Sequence, residues 1–543
     1  MKVNKRSYWN FFVLLLLDLM LPLSVSAKVV TQPEALKIAN SFFYKSKIKQ
    51  LFSGSLEFAF DSNDIDSVIH SDDIQAPAFY VFVPQDSKGF VIVSGDNGIT
   101  PIIGYSFEDP MPGLKDIPVF MKQWLENVTL TVNELRSSNL FRSIQLIKFW
   151  KNPKPEPVVK QLKTAKWGQG YPYNDQCPEI NGKKCVTGCV VTAAAIAMYY
   201  NRHPERSKGH VLTYISAMDN VKVLVDSRNL DHPIEWDKMK MEYEYGTIYS
   251  QEEVDAIAAL MADIGAGLKA DYNIDATECY ISSIPNLAYY SYGYAPATVL
   301  IKSDYRYSEW KSFIKEDIDN GHPIIYGIYN PEGIGHAFIL DGYTENNYYH
   351  FNWGWGGYGN GYYSLNLMTS NNSFINRQKL IKDFKPGEGM PITQKHWIKI
   401  MQGLVPLNNV KDIRQGEPFK IDTLAFLNTG SFTYIGKIAI AMTDSAGCIK
   451  DTLFSFYNEN ISPYWYHALL RCNLVINVPI KPGDRIRCLY KEKDSQEWKL
   501  VRPANPDDPY EIILKAPEMP SEEKQEPLIR SRNKRKRNSK VKK

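Results

Sequence analysis

Apolar and polar positions alternate along this chain in two rhythms, and their changes divide it into segments. A helical spacing opens residues 35–43. Two strand-like runs follow, Phe79-Tyr80-Val81-Phe82-Val83 and Gly89-Phe90-Val91-Ile92-Val93-Ser94, joined by a polar turn, and Ile102-Ile103-Gly104-Tyr105 reads as a third. Residues 126–145 return to helical spacing. Trp150-Lys151-Asn152-Pro153-Lys154-Pro155-Glu156-Pro157 then breaks both rhythms, as expected of an extended, exposed segment open to proteolytic nicking. From 165 to about 385 the chain is dense in Tyr, Trp and Gly. Helices are predicted over 190–200 and 251–268, and strands over 324–328, 337–340 and 348–352. Beyond 395 only short strands appear, over 419–426, 435–442, 474–480 and 486–490. Ile438, Ile440 and Met442 share one face there, and Asn428-Thr429-Gly430 and Pro482-Gly483-Asp484 supply turns. A β-sandwich over 395–518 fits this texture.

The length of 543 residues exceeds what one core holds, since cores stop growing near ~250–300 residues. The expected layout is therefore a leader over 1–27, a small α+β unit over 28–145, an exposed linker over 146–164, a mixed α+β domain over 165–390, the β domain, and a tail over 519–543. The leader reads as an export signal. Lys2, Lys5 and Arg6 precede an apolar run from Phe11 to Leu23, and Val25-Ser26-Ala27 supplies a cleavage site. That run is too short to span a bilayer comfortably, and no later segment is long and apolar enough to do so. A secreted or surface-associated protein is expected, without a membrane span in its mature form.

Charge sharpens the picture. The net charge is +3, but 530–543 carries nine Lys or Arg and no acid, so +3 minus 9 leaves the rest near −6. Such a tail reads as solvated, or as a point of attachment to an anionic surface. Export argues against a nucleic-acid partner. The seven cysteines, at 177, 185, 189, 279, 448, 472 and 488, are few and odd in number. Cys177 and Cys185 are close enough in sequence to bridge, as is Cys448 with Cys472 or Cys488. No cluster has structural-zinc spacing, so neither metal nor cofactor is expected.

Four separated features point to nucleophilic chemistry. Gly188-Cys189 opens a helix of Ala and other compact residues, where free N–H groups and the helix dipole favour a thiolate. His336, in Gly335-His336-Ala337-Phe338-Ile339-Leu340-Asp341, begins an apolar strand 147 residues later and suits a general base. Asn352 ends the next strand, 16 residues further on, where its oxygen can orient an imidazole; Trp353 can shield that bond from water. Gln169, 20 residues before Cys189, can donate to an oxyanion together with the Cys189 N–H.

These motifs carry a resemblance. Trp167-Gly168-Gln169…Pro172-Tyr173-Asn174, Gly188-Cys189-Val190, Gly335-His336-Ala337-Phe338 and Asn352-Trp353-Gly354-Trp355-Gly356-Gly357 resemble the streptopain family of secreted bacterial cysteine peptidases, interpain-like members included. Ile234-Glu235-Trp236-Asp237-Lys238-Met239 is similar to a further family segment. Upstream, Tyr80-Val81-Phe82, Gly89–Asp96 and Ile103-Gly104-Tyr105-Ser106 look like the family propeptide. The resemblance implies an α+β, papain-like catalytic domain, preceded by a small α+β propeptide that covers the cleft and followed by the β-sandwich. It implies a zymogen whose mature enzyme cleaves peptide bonds, with Cys189 as nucleophile, His336 as base, Gln169 as oxyanion donor and Asn352 with Trp353 supporting the histidine. Its partners would be protein or peptide substrates and its own propeptide. Residues 270–280 depart from the family's Gly/Ser-rich stretch, which leaves substrate preference open. Two other readings stay open: an amidase or transglutaminase with the same triad, and an inactive peptidase-like adhesion protein.

Overall fold

A computed structural model describes residues 28–45, 55–65, 76–85, 88–137, 149–218, 220–329, 335–365, 378–388, 398–401, 403–406, 413–430, 432–462, 465–469, 472–504 and 508–514. The expected leader, the basic tail and the start of the linker lie outside them. By its contacts the chain divides into two units, 1–397 with 428–433 and 462–464, and 398–427 with 434–461 and 465–543.

In the first unit, helix α1 (Gln32–Tyr44) starts at Thr31, whose backbone N–H and hydroxyl both donate to Glu34 while proline occupies the first turn. It packs through Ala35, Ala39, Phe42 and Phe43 on the sheet formed by β1 (Leu56–Asp61), β2 (Phe79–Pro84), β3 (Phe90–Ser94) and β4 (Ile102–Ser106). Helix α2 (Val119–Ser137) covers the other face through Met121, Trp124, Leu125, Val128 and Val132. Buried on both faces, β2, β3 and β4 read as continuous apolar runs rather than alternating ones.

The sheet does not end at β4. Tyr105 and Gly104 pair with Tyr362 and Tyr363 of β10 (Gly361–Ser364). From there it continues antiparallel through β9 (Tyr348–Asn352), β8 (Gly335–Thr344), β7 (Ile324–Tyr329), β11 (Lys379–Lys382) and β6 (Thr298–Ile301). One eleven-stranded sheet thus spans the N-terminal segment and the mixed domain. The eleventh strand, β5 (Val158–Gln161), pairs with the far end of β8.

Helices α3 (Cys189–Asn201), α4 (Gln251–Gly267) and α5 (Ile284–Tyr292) share a second core with Ile325, Ala337 and Ile339. Helix α6 (Tyr307–Asp319) packs through Trp310, Ile314 and Ile318 into the core shared with α2. The composition of α3 explains its position: ten consecutive residues, Val190 to Tyr199, are buried, as expected of a helix that is apolar on every side and rich in alanine.

Of the segment expected as a linker over 146–164, residues 151, 152, 154, 157–161 and 163 are exposed, yet several backbone and side-chain groups in it are held by partners. Trp150 donates its indole N–H to the Ile99 carbonyl at 2.7 Å, Lys45 reaches Asn152 at 2.6 Å, and Pro153 is buried. Val158–Gln161 is already a strand of the eleven-stranded sheet, and the Leu162 N–H donates to the Asp341 carbonyl. Trp150 and Leu162 are thus both held by partners distant in sequence. The disulfides considered above do not form: all seven cysteines are free thiols. Cys177 and Cys185 lie buried with Val225, Ala270 and Tyr272, acting as small apolar side chains.

The second unit is β-rich. A four-stranded sheet runs Tyr466–Leu469, Leu424–Asn428, Ile398–Ile400, Arg502–Pro503. A five-stranded one runs Ile449–Ile461, Tyr434–Thr443, Arg485–Glu492, Lys499–Leu500, with Glu511–Ile513 beside Arg485–Glu492. Phe426 of the first meets Phe456 of the second at 5.8 Å, edge to face. The expected strand over 474–480 is reduced to Asn473–Leu474.

Candidate active site

Cys189 is the first residue of α3. The turn before it needs Gly188, which has φ 87° and whose missing Cβ would lie 2.6 Å from the Thr277 carbonyl oxygen. The half-buried Cys189 sulfur faces the N–H groups of Ala337, Val190 and Cys189 itself. Burial nonetheless pushes the thiol above its ordinary range. The Ala337 contact brings the sulfur to the start of β8, next to His336.

His336 pairs with Ile328 of β7 in the sheet and is buried. Among the described residues its ring makes one hydrogen bond, from Nε2 to the Trp353 carbonyl at 2.8 Å. A carbonyl only accepts, so Nε2 carries the proton and Nδ1 is the free base. Phe120 of α2 stacks on this ring, centroids 5.0 Å apart and planes at 27°; Trp355 lies at 4.7 Å and Trp353 at 6.0 Å. This apolar enclosure pushes the imidazole down from the usual 6.5 to about 4, against the opposing bond to Trp353. Burial thus opposes charge on both Cys189 and His336 in this closed arrangement.

Asn352 stands opposite Ile339 on the neighbouring strand, and its polar atoms are occupied. Nδ2 donates to Thr164 Oγ1 at 3.0 Å and to the Ala165 carbonyl at 2.8 Å. Oδ1 accepts from the Gly354 N–H and from Asn360 Nδ2, each at 3.3 Å. The His336 proton goes one residue further, to the Trp353 carbonyl. Trp353 is fully buried and stacks on Trp355 at 5.1 Å with planes 3° apart. Gln169 is half-buried, and its carbonyl accepts from the Thr187 N–H at 3.1 Å, which lays it beside the turn leading into Cys189. The Gly356 N–H donates to the Trp167 carbonyl at 3.0 Å, joining the tryptophan loop to the same segment.

Three groups at this site escape a linear reading. Phe120, Met121 and Trp124 reach it from the N-terminal segment; Gly359, beside the end of the Met121 side chain, has φ 73°, a conformation that favours glycine. The Gly359 N–H donates to the Pro110 carbonyl, and Lys166 pairs with Asp109. Behind Asn352, Thr164 donates to Asp341, whose other oxygen meets His350 Nδ1 at 2.5 Å. Burial opposes charge on His350, but Asp341 outweighs it and raises the imidazole above its ordinary value. The apolar spacing of Phe120, Met121, Trp124 and Leu125 was the visible signal for the first group, and an aspartate inside an apolar strand for the third; the Asp109–Lys166 pair had none. Among the described residues, Asp317, His322 and Asp383 have metal-ligand spacing, but the Lys382 ammonium lies 3.4 Å from Asp317 and 3.2 Å from Asp383 and supplies positive charge there.

A cysteine heading a buried helix, packed against a sheet whose facing strand opens with a histidine, is the layout of papain-like α+β catalytic domains. The comparisons agree at the level of family. Residues 167–363 match the peptidase C10 family, and residues 27–132 match the Spi protease inhibitor family. Streptopain of Streptococcus pyogenes is 28% identical over 328 residues, covering 56% of this chain and 78% of streptopain. The thiol protease/hemagglutinin PrtT of Porphyromonas gingivalis is 28% identical over 374 residues, 66% of this chain, which spans 41% of that protein. A prointerpain A fragment from Prevotella intermedia is 25% identical over 58% of this chain and 96% of its own, with a TM-score of 0.45. The chain thus makes a family-level match to C10 peptidases, with both their propeptide and their catalytic domains. No helix among the described residues is long and apolar enough to cross a membrane.

Proposed function

We propose that this chain is the latent precursor of a secreted cysteine endopeptidase. Cys189 is the nucleophile and His336 the base. Residues 28 to about 145 are the inhibitor that holds the pair apart from its chemistry. One observation carries the reading: Phe120, from the segment matching a protease inhibitor family, stacks on the only histidine adjoining the helix-start cysteine among the described residues.

Removal of α2 readmits water to His336, so the imidazole regains an ordinary pKa and can take the proton of Cys189. The thiolate, supported by the N–H groups of Val190 and Ala337, attacks the substrate carbonyl carbon. Negative charge builds on the carbonyl oxygen, where the Gln169 amide and the Cys189 N–H donate to it. The imidazolium protonates the leaving amine, and water, deprotonated by the same ring, releases the acid from the thioester. Asn352 braces the loop that carries Trp353 and Asn360, and Trp353 with Trp355 shields the ring. The inhibitor-family match favours a peptidase over an amidase or transglutaminase, because a protease is what such a domain restrains.

Purified full-length chain, incubated alone, should process itself between the two segments and then cleave a fluorogenic peptide. Cys189→Ala should do neither. Processing at a wild-type rate by Cys189→Ala would refute the assignment.

A further inference from the structure

A second thiol shares the helix start with Cys189. Cys279 is half-buried and packs, like Cys189, on the core beneath α3, and its sulfur faces the N–H of Val191. The Cys189 sulfur faces the N–H groups of residues 189 and 190. Both cysteines therefore lie beside the first turn of α3. Their backbones are pinned to match. Thr277 Oγ1 donates to the Val186 carbonyl at 2.7 Å, the Thr277 carbonyl abuts Gly188, and the Val186 N–H donates to the Asn273 carbonyl at 3.2 Å. Asp271 and Glu278 exchange both backbone hydrogen bonds, which closes 271–278 into a loop with Cys279 at its exit. Tyr329 packs on the same core as both cysteines.

We propose that Cys189 and Cys279 form a reversible oxidation site, in which Cys279 resolves the oxidised nucleophile as a disulfide. The inference rests on the reading of Cys189 as the reactive thiol. With a peroxide as oxidant, the Cys189 thiolate attacks one oxygen, an S–O bond forms, the O–O bond breaks, and hydroxide leaves to become water. The Cys279 sulfur then attacks Cys189 Sγ: the S–S bond forms, the S–O bond breaks, and the departing hydroxide takes the Cys279 proton. Two thiols lose two electrons in all, and one peroxide becomes two waters. A dithiol reductant returns both thiols. Without a neighbour to trap it, a sulfenic acid continues to sulfinic and sulfonic acids, which reductant does not restore. Cys279 would thus turn a terminal lesion into a reversible pause.

The test uses the full-length chain and Cys279→Ser, before and after self-processing, each treated with hydrogen peroxide and then with dithiothreitol. Peptide mapping without reductant should find residues 189 and 279 cross-linked in the wild type, with the mass of two hydrogen atoms lost. Normalised to its own untreated rate, wild-type hydrolysis should fall with peroxide and return with reductant, whereas Cys279→Ser should fall and stay down. Overoxidised Cys189 in the wild type, or Cys279 joined instead to Cys177 or Cys185, would overturn the proposal. So would equal recovery of the two proteins. The cross-link is read by mass, so it is scored even if the chain proves to hydrolyse no peptide, which would instead refute the peptidase reading.

Discussion

Replacing Phe120 by alanine should unlatch the precursor without unfolding it. Phe120 is 7% exposed, with its ring 5.0 Å from the His336 imidazole and 6.5 Å from Trp353. A buried Phe→Ala change costs about 3–5 kcal/mol in a well-packed core. Only the part of that contact made with the catalytic segment bears on closure, roughly half, or about 2 kcal/mol. At about 1.4 kcal/mol per tenfold, the fraction of chains with α2 lifted from His336 rises about thirtyfold. If lifting is fast compared with alkylation, the rate at which an epoxide thiol inhibitor labels Cys189 in uncleaved chain rises by the same factor. Intact mass separates labelled from processed molecules. Leu130→Ala, on the same helix at a position 38% exposed, is the matched control and should label at the wild-type rate. Labelling of Phe120→Ala within twofold of wild type, with helix content retained, would refute the view that α2 masks the site through this ring.

Further outcomes follow from the same geometry. His336 has its pKa lowered from 6.5 to about 4 in the closed form, so that form binds fewer protons than the opened one. Closure should therefore weaken as pH falls through 6.5 and reach its full penalty near 4, at most about 3 kcal/mol. In a Cys189→Ala chain, cutting near residues 151–157 by an added serine protease should quicken over that interval, and the extra His336→Ala change should flatten the dependence; an unchanged slope would count against it. Asn352→Ala should lower kcat without abolishing hydrolysis, since Thr164 and Asn360 lose a partner while nucleophile and base remain; kcat within twofold of wild type would remove Asn352 from the site. A chain ending near 397 should still process itself and cleave short peptides, because every residue placed at the site lies at or before Asn360; a folded truncation without activity would contradict this.

Much of the fold was readable from local pattern. Gly-Cys followed by small apolar residues marked α3 to within a residue at each end, and helical spacing found α1 and α4. The failures share a cause, namely partners distant along the chain. The strand begun by His336 seemed to stop at Asp341, because an aspartate suits a turn; it runs on to Thr344 because His350 and Thr164 satisfy that carboxylate. Three prolines announced an exposed segment, and most residues around them are exposed, but they gave no sign that Trp150 and Val158–Gln161 are tied to groups more than fifty residues away by Ile99 and β8. Ile449–Ile461 carries polar residues through most of its length, so the longest strand of the second unit gave no apolar signal. At the site, the residue types announced their chemistry, but the His336 proton on Trp353 and the ring of Phe120 over it arise only from folding.

The most direct test of the account is the fate of Cys189 itself. Full-length chain, and the same chain after self-processing, should be treated with an epoxide thiol inhibitor and mapped by mass. The account predicts label on Cys189 alone, slow in the precursor, fast after processing, and matched mole for mole by loss of peptide hydrolysis. Label spread over the other six thiols, or full hydrolysis by protein whose Cys189 is blocked, would contradict it.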